Sequence, residues 1–310
     1  MGFSLGTLTA YTEQNKIPLV MRTLYGSQTG ALVTKQSGIK SSASINYLAT
    51  TAQFQADACS WNASGTTTVT QRNITVGSIA VMESLCLKDL EAYYMQTMLN
   101  AGTADGQSIP FEQMYSELKA DTIAQQLEIA YWQGDTSSWN ANLKRFDGFI
   151  KLIDAAGTAV NGNTGGVTTG TGITSSNVVA IINAIYAAIP AQILRAPDLR
   201  FMVPTDVFRL YHAAVVAANL YSYNGLVAGA LEMIIPGTNI KMVALDGLTG
   251  TNRIFAGRTS NFYIGTDLMN EEENFDIWYS KDNVETRFRA SFKAGVQVAI
   301  PSEITSFKLV

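Results

Sequence analysis

The clearest pattern of apolar and polar positions lies between residues 174 and 211, where it predicts a helix, a strand and a second helix. Apolar residues recur every three or four positions from Val178 to Ile189, which is the spacing of a buried helix face. Hydroxyl side chains at 174–176 can cap the start of this helix, and Pro190 ends it.

The strand that follows is predicted from Leu199 to Val203, where apolar side chains alternate as in a half-buried strand. Pro204 then opens the second helix. Its predicted core stripe consists of Phe208, Tyr211, Val215 and Ala218. The whole stretch offers no paired catalytic groups, so its pattern indicates packing rather than chemistry.

The region before it begins with an arm and a hairpin. Residues 1–40 hold scattered large apolar side chains without a sustained period, which predicts an extended arm lying along its own body or along a neighbour. Residues 41–82 hold short β-prone runs around a turn at 61–65, which predicts a long antiparallel hairpin. Because its alternate positions are mostly Thr, Ser and Gln, this hairpin needs a partner surface.

Two helices are predicted next. Helical spacing indicates one from Ser84 to Gly102 and a longer one from near Pro110 to Gly134. The longer helix carries a first apolar stripe of Phe111, Met114, Tyr115 and Leu118, and a second, offset stripe of Ala120, Ile123, Leu127 and Ala130. We therefore expect it to pack on two sides.

The remainder predicts a short element, a loop and many strands. Phe149–Ile153 suits a strand or a short helix, and Gly157–Gly172 is typical of a loop. Beyond the second helix, β-prone runs are separated by Gly, Asn and Asp turns. The predicted strands are Met233–Ile235, Ile240–Val243, Arg253–Ala256, Phe262–Gly265, Phe275–Tyr279, Val284–Arg289 and Val296–Ile300.

Composition favours a folded protein that packs against copies of itself. Hydrophobic residues make up 47% of the 310-residue chain, whereas charged residues make up only 15%, well below the roughly 25% that is average. The net charge of −4 and the absence of any basic cluster larger than Lys144-Arg145 argue against tight nucleic-acid binding. A protein wall could still enclose DNA without binding it tightly.

The cysteines and the amino-terminal sequence bear on the compartment. Only two cysteines occur, so the chain is not a disulfide-stapled secreted domain. The first residues lack the basic start and apolar core of a signal peptide, and no apolar window is long enough for a membrane helix. We expect synthesis in the cytoplasm and no membrane partner.

Candidate catalytic and metal-binding residues are few. His212 is the sole histidine, and a dyad of His212 with Cys59 or Cys86 would suit a hydrolase. The favoured interpretation makes His212 a structural residue, partly buried or at a subunit contact, and both cysteines small buried hydrophobes. One histidine and two cysteines are fewer than the four ligands of a structural zinc site, so we expect no metal and no cofactor.

Two further motifs suit structure better than chemistry. Glu271–Glu273 lies near Asp267 and Asp276 and could hold a hard cation, but it lacks the spacing of a calcium loop. A solvated turn, or a charged subunit contact to Arg287 or Arg289, is favoured. The loop at 162–172 lacks the Gly-Lys-Ser/Thr of a phosphate loop, which leaves a flexible connection.

Three segments carry a resemblance to a known family. Leu118–Asp135 ends in Trp-Gln-Gly-Asp and is followed by Phe-Asp-Gly-Phe-Ile-Lys at 146–151. Residues 177–186 and 201–211 then supply a helix and a strand-Pro-helix unit. In this order they resemble the spine helix, the strand after it and the opening of the axial domain in Hong Kong 97-type major capsid proteins of tailed bacteriophages.

The resemblance implies an α+β capsid fold with four parts. An arm would occupy 1–40, and the hairpin at 41–82 would be the E-loop. A peripheral domain would comprise 83–173 and 256–310, with its spine helix at about 110–134, and an axial domain would occupy 174–255. Such proteins are not enzymes; they self-assemble through hexamers and pentamers into the icosahedral shell around a double-stranded DNA genome.

Departures from the family pattern sharpen these expectations. The chain begins directly with the arm, so we expect a separate scaffolding protein or prior processing, with portal and decoration proteins as further partners. No lysine lies between Lys40 and Lys88, and Arg72 is the only basic residue in the hairpin. Since a guanidinium stays protonated and is not a nucleophile, we expect a virion shell without covalent lysine crosslinks.

Function should then reside in subunit contacts. The residues expected there are Phe3, Leu24, Trp61, Arg72, Tyr221, Tyr223 and Glu272. The same fold would also suit a bacterial nanocompartment shell, and the Cys/His hydrolase remains the alternative from a different class.

Overall fold

The computed structural model describes residues 27–56, 59, 64–85, 111–218, 231–267, 275–283 and 285–310. This part of the chain forms two mixed sheets, a projecting hairpin and five α-helices. The helices are α1 Gln28–Leu32, α2 Phe111–Gln133, α3 Phe149–Ala156, α4 Val178–Ala188 and α5 Thr205–Ala217. The strands are β1 Thr34–Gln36, β2 Ser42–Thr51, β3 Thr66–Thr75, β4 Gly77–Leu85, β5 Val160–Asn161, β6 Leu199–Pro204, β7 Glu232–Ile234, β8 Lys241–Leu245, β9 Ile254–Arg258, β10 Phe262–Thr266, β11 Phe275–Ser280, β12 Glu285–Val298 and β13 Thr305–Phe307.

A five-stranded sheet is organised around β12. Strands β10 and β11 pair with one edge of β12 and β4 pairs with the other, while β1 joins β10 in parallel. The two strands predicted at Val284–Arg289 and Val296–Ile300 are thus one strand of 14 residues. Gly295 lies inside it because the backbone of Thr75 comes too close for a β-carbon.

The predicted hairpin is shorter than its sequence range. Strands β2 and β3 pair antiparallel from Ser42↔Thr75 to Thr51↔Thr66. Residues 77–82, which the sequence pattern assigned to the hairpin, belong instead to β4 of the five-stranded sheet. Ser84, predicted to cap a helix, also lies in β4, and the remainder of that predicted helix lies outside the described residues.

The helix-strand-helix unit lies in a second, six-stranded sheet of order β5-β13-β9-β6-β8-β7. Its central strand β6 is not half-buried as predicted, because every residue except Arg200 is buried. Phe201 and Val203 face the core under α4 and α5, whereas Met202 faces the core shared with α2. Both faces of the strand are therefore covered. This sheet also includes strands β5 and β13, which lie outside the range 174–255 predicted for the axial domain.

Helices α4 and α5 cover one face of this sheet. The predicted apolar residues Val178, Ile181, Ile182, Ile185 and Ile189 are all buried. On α5, Phe208, Tyr211 and Val215 are buried as predicted, but Ala218 is exposed. The helix ends at Ala217, so Ala218 is its cap rather than part of its core stripe.

Helix α2 packs its second predicted stripe into the main core. Ala120, Ile123, Leu127 and Ala130 are buried. Of the first stripe, Tyr115 meets Phe288 edge-to-face with ring centroids 5.8 Å apart, whereas Leu118 is 62% exposed.

Two open predictions are resolved by the packing. Residues 149–156 form a helix, α3, so the strand that the resemblance implied at 146–151 was wrong, and Gly157 ends the helix with a left-handed backbone, φ 64°. Residues 27–36 of the predicted arm form α1 and β1 along the body of the same chain, while the arm before residue 27 lies outside the described residues.

Candidate assembly surfaces

The distal part of the β2–β3 hairpin is bare on both faces. Leu48 and Val69 lie directly opposite each other and are 70% and 68% exposed. Nearer the turn, the hydroxyls of Thr50 and Thr67 lie 3.1 Å apart, within hydrogen-bond distance across the strands. A two-stranded ribbon is marginal in water by itself, so an apolar pair of this kind indicates a surface that another element covers.

The root of the hairpin is fixed, in contrast. Ile74 is fully buried in a small core with Ile39 and Ile45. Gln297 of β12 donates from its side-chain amide to the Asn73 carbonyl oxygen at 2.6 Å. The hairpin therefore leaves the body at a defined angle and is not a loosely tethered loop.

Arg72 is the predicted contact residue that the structure describes, and it lies at this root. Its Nη2 donates to Gln297 Oε1 at 3.4 Å within the same chain. A role between subunits stays a prediction. The other predicted contact residues, Phe3, Leu24, Trp61, Tyr221, Tyr223 and Glu272, lie outside the described residues.

The candidate hydrolase residues do not sit as predicted. His212 is exposed on α5, because Tyr211 and Val215 occupy the buried face, so the partly buried position was wrong and the subunit contact stays a prediction. Cys59 is exposed and free rather than a buried hydrophobe, and Cys86 lies outside the described residues. Within the described ranges, no three His, Cys, Asp or Glu side chains group as metal ligands would.

The acidic and basic residues near β12 form pairs inside the chain. Arg287, a predicted partner of the acidic run, donates from Nε to Glu285 at 2.9 Å. Asp267 is buried and accepts from Lys293 at 3.0 Å. None of the helices in the described ranges combines the length and the apolar character needed to span a bilayer.

Gly134-Asp135 and the Phe-Asp-Gly-Phe-Ile-Lys segment at 146–151 meet at one corner, between the end of α2 and the start of α3. Gly148 donates its backbone N–H to the Gly134 carbonyl oxygen at 2.8 Å. Lys151 Nζ donates to Asp135 Oδ1 at 2.6 Å and to Asp147 Oδ1 at 2.7 Å. The motif matched from the sequence is therefore a structural corner.

The charges of this corner stabilise one another. The hydrogen bond from Lys151 lowers the pKa of Asp135 to about 2. Burial by itself would raise the pKa of Asp147, but hydrogen bonds from Lys151 and Thr136 outweigh it and lower that pKa. The same contacts raise the pKa of Lys151.

A buried polar cluster joins α1 to α2, and no sequence pattern pointed to it. Thr29 donates its backbone N–H to Glu128 at 2.8 Å and its hydroxyl at 2.5 Å. Trp132 Nε1 in turn donates to the Thr29 hydroxyl oxygen at 2.7 Å. Burial raises the pKa of Glu128 despite these hydrogen bonds. The contact fixes where the amino-terminal segment meets α2.

Comparison with known proteins gives a consistent result at the level of fold. No protein-family model matches the sequence, and no curated protein matches it either. The solved satellite phage P4 procapsid, which includes a size determination protein, matches with a TM-score of 0.54 at 12% identity, over 94% of this chain and 90% of that chain. The capsid of an empty GTA particle matches with a TM-score of 0.56 at 14% identity, over 93% and 90%. The capsid of Myoviridae phage XM1 matches with a TM-score of 0.54 at 13% identity, over 90% and 89%.

The chain has the phage capsid fold. At these identities the likeness concerns the fold, and it extends over nearly the whole length of each chain. Among the described residues, the bare hairpin and two further surfaces are candidates for contacts with other copies.

The first surface is a groove of about 300 Å³ between α2 and β4, here called the α2–β4 groove. Its floor is apolar and includes Val81, Leu127 and Phe292, while Arg145 and Asn142 line its rim. Lys119, also on the rim, pairs with Glu83.

The second surface is the outer face of the five-stranded sheet in the capsid fold. Trp278 and Met82 are both exposed there. Trp278 is paired with Arg287 across the strands, and Arg287 is paired with Ser84 on the far side. An exposed tryptophan and methionine among polar neighbours suit a contact that is apolar at its centre and wet at its edge.

Proposed function

We propose that the chain is the major capsid protein of a tailed bacteriophage, with a Hong Kong 97-type arrangement, that assembles through hexamers and pentamers into an icosahedral shell around double-stranded DNA. The observation that carries this proposal is the hairpin with a fixed root and a bare shaft, in a chain that matches a capsid chain over 93% of its length. A projecting ribbon of this kind gains stability when a neighbouring copy covers it.

Function in this proposal lies in surfaces rather than in a catalytic site. Each contact, such as the one made by Leu48 and Val69, buries little area and is weak alone. Closed symmetry repeats the same contact many times, so the complete shell is stable although its single contacts are not.

The parts of the proposed subunit follow the family pattern. The arm is 1–40, and the E-loop is the β2–β3 hairpin within 41–82; the peripheral domain is 83–173 with 256–310, together with β4, and the axial domain is 174–255, whose sheet also includes β5 and β13. The N-terminal arm, the E-loop turn and the axial loop would supply further contacts. A separate scaffolding protein, a portal and decoration proteins are the proposed partners. Assembly takes place in the host cytoplasm, and the shell encloses DNA without a specific site for it.

The proposed shell is held without covalent crosslinks. The hairpin range holds Arg72 and no lysine, so it lacks the amine nucleophile that an isopeptide bond requires. Assembled particles boiled in detergent should give a single band at 33.5 kDa on a denaturing gel. A ladder of higher bands would contradict this part of the proposal.

Electron microscopy tests the proposal as a whole. The chain, expressed alone and together with the scaffolding protein of its gene neighbourhood, should form hollow spherical particles or rings of five and six copies. A compact monomer under both conditions would overturn it. Particles that enclose a host enzyme in place of DNA would favour a nanocompartment shell instead.

A further inference from the structure

One rim of the α2–β4 groove carries positive charge that no described residue neutralises. Lys144 and Arg145 are consecutive and exposed, and Arg145 lines the groove. Among the described residues, neither side chain has an ion-pair partner, in contrast to Lys119 on the same rim. An unpaired cationic rim around an apolar floor fits an acidic segment that also carries apolar side chains.

The chain contains one such segment. Between β10 and β11 the sequence runs Leu-Met-Asn-Glu-Glu-Glu-Asn over 268–274, with two apolar residues followed by three consecutive carboxylates. Of the basic residues of β12 near it, Lys293 pairs with Asp267 and Arg287 with Glu285, whereas Arg289, opposite Asp276, is exposed.

The acidic segment and the cationic rim belong to opposite edges of one sheet. Ala294 of β12 pairs with Thr266 on one side and with Gly77 on the other. The acidic segment is tethered to the first edge, where β10 ends and β11 begins, while β4 and the groove lie at the second. Two strand spacings, about 10 Å, separate these edges.

Complementary patches on opposite edges favour association from head to tail. Each copy then offers its acidic edge to the cationic edge of the next, and such a heterologous contact closes into a ring when the rotation per copy divides a full turn. Pentamers and hexamers are rings of this kind.

We infer that the acidic segment Glu271–Glu273 of one copy docks on the Lys144-Arg145 rim of the α2–β4 groove of the next copy. Leu268 and Met269 of the segment would cover the apolar floor. This inference rests on the proposed shell function and adds the partner of one of its contacts. It differs from the charged subunit contact to Arg287 or Arg289 that the sequence suggested for the acidic run.

Charge reversal tests the contact. Two variants each reverse one side of the contact. The rim variant carries Lys144→Glu with Arg145→Glu, and the segment variant carries Glu271→Lys, Glu272→Lys and Glu273→Lys. A third chain combines all five changes. Like charges brought together cost several kcal/mol, so each partial reversal should lower the assembled fraction by about tenfold or more. The combined chain should recover to within about threefold of wild type. Sedimentation measures the assembled fraction, and thermal melting verifies that each variant folds.

The controls separate this contact from general effects of charge and from the proposed function. Lys281→Glu with Lys308→Glu reverses two exposed charges elsewhere and should assemble like wild type. Partial reversals that assemble like wild type, or a combined chain no better than they are, would overturn the inference while the shell function stands. A wild-type chain that forms no particles would instead overturn the shell function.

Crosslinking distinguishes a contact between copies from one within a copy. Particles are assembled from equal amounts of unlabelled and ¹⁵N-labelled chain, and a carbodiimide joins lysine amines directly to neighbouring carboxylates. Peptides linking Lys144 to the 271–273 segment should carry mixed labels in about half of the cases, as random pairing of copies requires. The inference fails if these linked peptides are absent or carry a single label only.

Discussion

Gly134 and Gly148 cross so closely that the backbone N–H of Gly148 donates to the Gly134 carbonyl oxygen at 2.8 Å. A β-carbon on Gly148 would lie 2.6 Å from the Gly134 nitrogen, well inside van der Waals contact. The crossing joins the end of α2 to the start of α3, so both glycines are required by close approach rather than by a turn.

Replacing Gly148 by alanine should therefore destabilise the subunit. Backbone atoms on both sides would have to move, and such overpacking costs about 1–3 kcal/mol or more. Urea unfolding followed by circular dichroism measures the change. Gly165→Ala is the matched control because nothing lies within 4 Å of its β-carbon position. Equal stabilities of the two variants would contradict the close crossing.

The Lys151 corner should give the subunit an acid-sensitive contribution to stability. In the folded protein the pKa of Asp135 is about 2. In the unfolded chain an aspartate has a pKa of about 3.9. The unfolded state therefore binds more protons, so this contribution is complete above about pH 4 and is lost as the pH falls towards 2.

Comparison with Lys151→Met isolates that contribution. The difference in unfolding free energy between wild type and this variant should shrink across the same pH range. Lys308→Met, at an exposed position, should show no such pH dependence. A Lys151→Met difference that stays constant down to pH 2 would argue against the ion pairs.

The exposed pair Leu48 and Val69 should matter for assembly and not for folding. Leu48→Asp with Val69→Asp places charge in a contact that a neighbouring copy would bury, which costs several kcal/mol per contact. Particle yield should fall by at least about tenfold, while the melting temperature of the subunit changes little. The conservative variant Leu48→Met with Val69→Ile should still assemble. Normal particle yield from the aspartate variant would show that this pair stays in solvent.

Thr29→Val should weaken the junction between α1 and α2. The change removes the hydroxyl that donates to Glu128 and accepts from Trp132, leaving two buried polar groups without that partner. A loss of about 1–3 kcal/mol in unfolding free energy is expected. Thr68→Val, on the exposed hairpin, is the matched control and should be nearly neutral. Near-neutral behaviour of Thr29→Val itself would mean that water replaces the hydroxyl.

The sequence correctly predicted those elements whose ends are set by residues close by in the chain. The helix before Pro190, the strand at β6 and the helix after Pro204 all formed, because prolines and periodic apolar residues act within a few positions. The burial of both faces of β6 was not predictable in this way. It depends on β8 and β9, which lie far away along the chain.

Elements set by distant contacts were mispredicted or missed. Gly295 suggested a break between two strands, but it allows β12 to pass close to Thr75, about 220 residues away. Thr29 and Glu128 are ordinary residues in the sequence, and their pairing across 99 positions has no local signature. Leu118 matched a helical stripe, yet it is exposed because no described element packs there.

The central position of β12 has a mechanical consequence. This strand carries hydrogen bonds to β4, β10 and β11 along its 14 residues, and it abuts the hairpin root at Thr75 and Asn73. A pull on the hairpin along the strand direction would load those ladders in shear, so that many hydrogen bonds resist at once instead of opening one by one. In the proposed shell, force that a neighbouring copy exerts on the hairpin would thus enter the subunit through this strand.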